Sequence, residues 1–291
     1  MAGGKPEIRR VRLIANPASG SVGPNVRAEA EAILARHDVD FVVRTTEDGR
    51  LGELIAEALA EKPDLLVIVA GDGTARAAAE AAGPDGPLVA TLPGGTMNML
   101  PYALYGRCTW AEALERILTN GEVRRVSGGT VNGQAFFVAA ILGAPALWAQ
   151  AREAARSGRF WIAMARARRA FRAAFTGRLR FTVDGAPRSK AEAMTFMCPL
   201  VSRGVEDDAP GLEAAALDPA GAIDVFRLAM AAAAGDWRRD PSVAVTICQQ
   251  AFCWAGGRIP AILDGEPVRL DRNAVVRFRP VAFRALVPAE T

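Results

Sequence analysis

Apolar residues in the first 125 positions fall into two kinds of spacing. Val11–Ala15 and Phe41–Val43 read as short strands, while Leu65–Val69 is an uninterrupted apolar run and Leu88–Leu92 repeats that pattern around Thr91. Uninterrupted runs of this kind fit strands buried on both faces. Between the runs, Val26, Ala30, Ile33 and Leu34 recur at helical spacing, as do Leu51, Leu54, Ile55, Ala58 and Leu59. Strand and helix alternate, which predicts a parallel sheet covered by helices. The rhythm changes near Arg124. Val131-Asn132-Gly133-Gln134 and Val183-Asp184-Gly185-Ala186 predict hairpins. Short apolar runs follow at 193–201, 223–228, 259–263 and 275–278. The expected organisation is therefore an α/β domain over residues 1–125 and a mainly antiparallel β domain over 126–291. An arginine-rich helix is expected around 146–175, and the last residues are free to return to the first domain.

Composition alters this picture little. The chain has 291 residues, 51% of them hydrophobic and 23% charged, enough to bury a sizeable core. Its net charge of +3 is mild and comes almost wholly from arginine, since lysine occurs only at Lys5, Lys62 and Lys190. Cys108, Cys198, Cys248 and Cys253 show no CxxC spacing, and His37 is the only histidine. A thiolate zinc site, a disulfide framework or a histidine-based triad is not expected. The N-terminus lacks the apolar stretch of a signal peptide, and the most apolar segment, 135–148, is too short to span a bilayer.

The chemistry concentrates in two loops. Ala70-Gly71-Asp72-Gly73-Thr74 leaves one buried strand and opens onto an alanine-rich helix; Pro93-Gly94-Gly95-Thr96-Met97-Asn98 leaves the next strand and also enters a helical segment. Glycine lets backbone approach a ligand closely, and N–H groups at a helix start suit a phosphate. A carboxylate inside such a loop repels phosphate unless it holds a cation, so Asp72 points to Mg²⁺ or to a hydrogen bond with a ribose. Either loop alone also reads as a tight turn with a capping threonine. Two of them on successive strands favour a ligand at the carboxyl ends of the sheet.

These loops, preceded by Asn16-Pro17-Ala18-Ser19-Gly20 and followed by Asp264-Gly265-Glu266, resemble the catalytic domain of diacylglycerol, sphingosine and ceramide kinases. The resemblance runs from about Arg10 to Arg279. It implies a Rossmann-like nucleotide fold shared with NAD kinase, followed by an antiparallel β-sandwich. It further implies an ATP-dependent lipid kinase, with ATP and Mg²⁺ as cofactors and a lipid hydroxyl as acceptor. Residue by residue, Asn16, Ser19, Thr46, Gly71, Asp72, Gly73, Thr74, Thr96 and Asn98 would line the nucleotide site. Asp264 would take the proton from the lipid hydroxyl, and Asp72 and Glu266 would serve the metal. Departures stand at Ala70, Arg76, Ala77, Met99 and Val138, where the family has glycine, asparagine, glutamate, aspartate and asparagine. A kinase of the NAD kinase type and an inactive nucleotide- or lipid-binding regulator are the rival readings. If Asp264 is the base, Asp264→Asn is expected to lower turnover with stability nearly unchanged.

Arginines and large aromatics interleave over residues 152–180, which suits an anionic membrane surface. The same pattern also reads as a solvated helix packed by its aromatics on the β domain. The expected setting is cytoplasmic and peripheral, at the inner face of a membrane. No nucleic-acid module is recognisable, and a homodimer is open.

Overall fold

The computed structural model describes residues 6–46, 50–143, 178–202, 204–206, 209–219, 224, 227–228, 235 and 237–289. The expected helix at 146–175 lies outside these residues, as does segment 152–180 apart from its last three positions. The chain forms two compact units, one of Met1–Ser127 with Val281–Thr291 and one of Gly128–Pro280.

The first unit follows the alternating pattern. Its elements are β1 (Arg10–Ala15), α1 (Val26–Leu34), β2 (Asp40–Thr45), α2 (Leu51–Ala60), β3 (Leu65–Ala70), α3 (Asp72–Ala82), β4 (Leu88–Pro93), α4 (Met99–Tyr105) and α5 (Trp110–Asn120). The strands are parallel in the order β2-β1-β3-β4. β3 and β4 are buried at every position, as expected of strands covered on both faces. Each fully buried Leu, Ile or Val side chain there contributes about 1.5–3 kcal/mol. Ile14, Leu66 and Ile68 meet Ile55, Ala58 and Ala78 in the layer between sheet and helices. Thr109 and Glu112 form a reciprocal capping box at the start of α5.

β5 (Gly121–Val131) carries the chain out of this unit. β6 (Gln134–Phe136), β7 (Ala139–Gly143), β8 (Leu179–Val183), β9 (Ser189–Ala191), β10 (Ala193–Met197), β11 (Leu212–Leu217), β12 (Val243–Cys248), β13 (Gln250–Trp254), β14 (Ile259–Leu263) and β15 (Glu266–Leu270) follow. β16 (Asn273–Pro288) begins in the second unit and ends in the first, where Ala285 pairs with Val89 of β4 in parallel.

In the second unit one antiparallel sheet runs β12-β11-β10-β7-β14-β15. The first part of β16 pairs with β13, which pairs with β8, and β8 with β9, all antiparallel. Leu142, Phe196, Leu212 and Leu263 from the first layer meet Leu179, Ala251, Cys253 and Val276 from the other in one core. This is a β-sandwich. The turns at Asn132-Gly133 and Asp184-Gly185 are the expected ones, and Asp264-Gly265 turns in the same way; all carry positive φ at both positions, as type I′ turns demand.

One expectation fails. The run 223–228 reads as strand-like, yet its described residues Asp224, Arg227 and Leu228 are helical. Asp224 and Arg227, three apart, pair across 2.7 Å on one helical face, a contact a strand does not offer. Among the described residues no helix is long and apolar enough to cross a membrane.

Candidate active site

Parallel strands that share a register deliver their loops to one edge of the sheet. Ala15 lies opposite Thr45 and Val69, and Ala70 opposite Pro93. Asn16–Gly20, Thr46, Gly71–Thr74 and Gly94–Asn98 therefore all leave the sheet at its carboxyl edge. Open α/β sheets bind ligands there.

These loops touch one another closely enough to explain several of their glycines. A Cβ on Gly95 would lie 2.8 Å from Cα of Gly71 and 3.2 Å from Oδ1 of Asn98. One on Gly94 would lie 2.6 Å from the backbone nitrogen of Ala70. The approaches of 2.8 and 2.6 Å to backbone atoms are shorter than real Cβ contacts, so any larger residue drives the loops apart. The first loop joins the same cluster. The Ser21 N–H donates to the Gly94 carbonyl at 3.2 Å, and the hydroxyl of Ser21 to the Gly95 carbonyl at 3.3 Å. A Cβ on Gly20 would meet Oγ1 of Thr96 at 3.1 Å, and one on Gly71 would meet Oγ of Ser19 at 3.5 Å. Asn16 shapes its own loop by accepting the Ala18 N–H on Oδ1 at 3.1 Å. Thr46 is buried directly after β2 and donates its N–H to the Ala15 carbonyl at 3.1 Å.

The two helix starts behave differently. Gly71 is the N-cap of α3, and its carbonyl accepts the N–H groups of Thr74 and Ala75 at 3.1 Å each. Residues 71–74, the first turn of α3, are all partly exposed. Helix geometry gives the leading N–H groups of such a turn no intrahelical acceptor. At α4 the position is taken. The Asp72 carboxylate accepts the Asn98 N–H on Oδ2 at 2.9 Å and the Met99 N–H on Oδ1 at 2.6 Å. A negative charge thus already sits at the start of α4, where the helix dipole favours it. Of the two helix starts anticipated for phosphate, α3 suits an anion and α4 does not.

Asp72 is a brace between two loops, and this changes its reading. Each of its oxygens accepts one backbone N–H, so the role the structure shows for it is to hold the two loops together. Among the described residues no group of three or more His, Cys, Asp or Glu is arranged to hold a metal ion. Asn98 is a second brace. It sits in the left-handed region at φ +49°, which asparagine tolerates better than most residues. Its Oδ1 accepts the Gly95 N–H at 2.6 Å, and its Nδ2 donates to the Gly95 carbonyl at 3.0 Å and to Oη of Tyr102 at 3.3 Å. Ser21 and Tyr102 were not anticipated from the sequence. The i,i+4 spacing of Asn98 and Tyr102 is the one local signal for either.

Asp264 and Glu266 belong to the other unit, at the β14–β15 turn. Asp264 is 5% exposed, and its carboxylate accepts N–H groups from three consecutive residues. Phe137 donates to Oδ2 at 2.8 Å, and Val138 and Ala139 donate to Oδ1 at 2.8 and 3.0 Å. Its own N–H donates to the Ala139 carbonyl at 2.9 Å. This corrects the expectation that Asp264→Asn leaves stability nearly unchanged, because an amide NH₂ would face at least one of these donors. Glu266 is exposed at the head of β15. Burial first, and the charge of Asp264 second, push the thiol of Cys198 well above its usual range.

The departures from the family pattern are tolerated locally. The methyl of Ala70 is buried in the core of the first unit. Val138 keeps its backbone contact with Asp264, since that contact needs no particular side chain.

Comparison with known proteins bears on the fold and on the class of the first unit. Residues 10–131 match the diacylglycerol kinase catalytic domain family. No curated protein matches the chain. Among solved structures, a diacylglycerol kinase from Bacillus anthracis strain Sterne is 17% identical, with a TM-score of 0.69 over 97% of this chain and 98% of the other. Two further structures from that organism, described as provisional diacylglycerol kinases, are 18% and 19% identical. Their TM-scores are 0.73 and 0.72, each over 96% of this chain and 98% of the other. At such identities the likeness establishes the fold, an α/β unit with an antiparallel β unit. The catalytic-domain match adds the class, which is lipid kinase. Residues 10–131 are thus similar to the diacylglycerol kinase catalytic domain, and the chain as a whole shares the fold of these solved structures.

Proposed function

We propose that the protein transfers the γ-phosphate of ATP to a hydroxyl of a neutral membrane lipid, either diacylglycerol or a ceramide or sphingoid base. One observation carries this reading. Three loops converge at the carboxyl edge of the sheet, with the start of α3 suited to an anion and the start of α4 already capped by Asp72. In phosphoryl transfer the protein contributes chiefly position and charge neutralisation. Asn16, Ser19, Thr46, Gly71, Gly73, Thr74 and Thr96 are assigned to the nucleotide, with Asp72 and Asn98 holding the loops in place.

Asp264 is assigned as acceptor of the proton that leaves the lipid hydroxyl. Its three backbone N–H donors fix the orientation of the carboxylate. A base held in one orientation loses less entropy in the reaction. A magnesium ion bound with the triphosphate would neutralise charge on the phosphates, and one or two carboxylates of the protein would suffice to assist it. Glu266 is the carboxylate assigned to assist it. The work is done at the cytoplasmic face of a membrane, where the acceptor lipid resides.

The test is a panel. Purified protein is incubated with ATP, Mg²⁺ and vesicles containing diacylglycerol, ceramide or a sphingoid base, and products are identified by mass. Diacylglycerol heads the panel because similar structures carry that name. Phosphorylation of NAD with no lipid product would overturn the reading. No product with any acceptor would favour a binding regulator.

A further inference from the structure

Side chains alternate across a strand, so register fixes what each face of a sheet carries. In the layer β9-β8-β13-β16 of the second unit, Leu179, Ala191, Ala251, Cys253, Ala274 and Val276 face the sandwich core. The opposite face is the outer one. Phe252 stands there between Thr182 and Val275, and Trp254 between Arg180 and Asn273. Arg180 lies opposite Lys190, and Gln250 opposite Arg277. Phe252 is 43% exposed, and Arg180, Lys190 and Arg277 are exposed with it. Arg188, just before β9, adds a guanidinium 5.5 Å from the centre of the Trp254 ring.

The charges on this face are of one sign. No outward position of these strands in the second unit carries a carboxylate. Asp184, in the turn after β8, has both oxygens engaged by the N–H groups of Gln249 and Gln250. Other arginines of the unit are paired: Arg178 with Asp218, Arg227 with Asp224 and Asp240, and Arg238 with Glu213. Among the described residues Arg180, Arg188, Lys190 and Arg277 have no carboxylate within ion-pair distance. Exposed aromatic surface beside unpaired cations is the composition that meets anionic phospholipid. At one end Arg277 and Gln250 also line a cleft of about 430 Å³, a recess for one headgroup.

We propose that this outer face is the surface by which the protein docks on a bilayer of anionic phospholipid. Its cations meet the headgroup phosphates, and Phe252 enters the interface. Single-stranded nucleic acid also binds basic sheet faces, but it uses successive free ring faces on which bases stack. Here Arg188 covers the ring of Trp254, which leaves Phe252 alone. Docking of this kind rests on the lipid kinase reading for its purpose, because the acceptor resides in a bilayer.

Co-sedimentation with vesicles of phosphatidylglycerol and phosphatidylcholine, without ATP or acceptor lipid, tests docking apart from catalysis. The wild type should bind these vesicles, release them as salt rises, and ignore vesicles of phosphatidylcholine alone. One cation near an anionic surface is worth roughly fivefold in binding, so Arg180→Glu with Lys190→Glu should weaken it by roughly thirtyfold or more. Phe252→Ser should weaken binding without altering its dependence on salt. Arg27→Glu with Arg125→Glu makes the same change of net charge on exposed positions of the first unit, and should bind as the wild type does. If the Arg180 and Lys190 double variant melts early, Arg277→Glu alone repeats the test with one reversed charge. A wild type that ignores the anionic vesicles overturns the docking surface. So do variants of this face that bind as tightly as the wild type, or an equal loss in the first-unit control. Retention of oligouridylate in place of vesicles would give the face to nucleic acid and overturn it as well. A protein that docks through this face yet phosphorylates no lipid keeps the docking surface and removes the kinase reading.

Discussion

Replacement of Asp72 by asparagine separates two roles that the same carboxylate could play. Asparagine keeps one acceptor oxygen and presents an NH₂ group in place of the other. One of the N–H groups of Asn98 and Met99, now held at 2.9 and 2.6 Å, would then face a donor. The loss is one charge-assisted hydrogen bond, about 1.5–3 kcal/mol. Removing the negative charge from the start of α4 adds about 0.3–1 kcal/mol. Asp72 is only half-buried, so the sum belongs at the lower end, about 2–3 kcal/mol. For a chain of this size that corresponds to a fall in melting temperature of roughly 4–10 °C. The assay is differential scanning fluorimetry without ATP or Mg²⁺, together with amide hydrogen exchange at Asn98 and Met99. Both should report the loss before any ligand is added. A metal-ligand role predicts the opposite pattern, with unliganded stability unchanged or raised and a displaced Mg²⁺ requirement in the kinase assay. That pattern would refute the brace.

The other predictions concern separate features. Gly95→Val should weaken ATP binding by about tenfold or more, since its Cβ would lie 2.8 Å from Gly71 and part the loops that cradle phosphate; calorimetric titration with normal affinity would remove this contact from the site. Asp264→Asn should lower turnover by roughly a hundredfold or more and also destabilise the second unit by about 1–3 kcal/mol. Turnover must therefore be measured well below the variant's melting temperature, and near-normal turnover there would end the assignment as base. Asp240 gives a pH dependence. Hydrogen bonds from Arg227 first, and from Ser242 second, hold its carboxyl well below the usual range. A depressed folded-state value contributes stability above the ordinary carboxylate pKa of about 4 and loses it as pH falls below that. Asp240→Asn should thus lower the melting temperature at neutral pH and flatten its decline in acid. Identical acid profiles for the two proteins would show that the pair contributes nothing.

Much of this protein is settled within short windows of its sequence. The runs Leu65–Val69 and Leu88–Leu92, set between helical periods, read as strands buried on both faces, and they are. Asn132-Gly133, Asp184-Gly185 and Asp264-Gly265 turn as their side chains and φ angles dictate. Local steric preference and hydrophobic period act over a few residues, so they survive any change in the rest of the fold. The run 223–228 marks their limit, because apolar content alone does not separate a strand from a turn of helix. Partners across the chain were decided elsewhere. Asp72 meets Asn98 and Met99, 26 and 27 residues away, because β3 and β4 are neighbours in register. Asp264 meets residues 137–139 because β14 pairs with β7, more than a hundred positions earlier. A carboxylate's role depends on what surrounds its two oxygens. For both aspartates those surroundings are backbone N–H groups brought there by sheet order, which no local window contains.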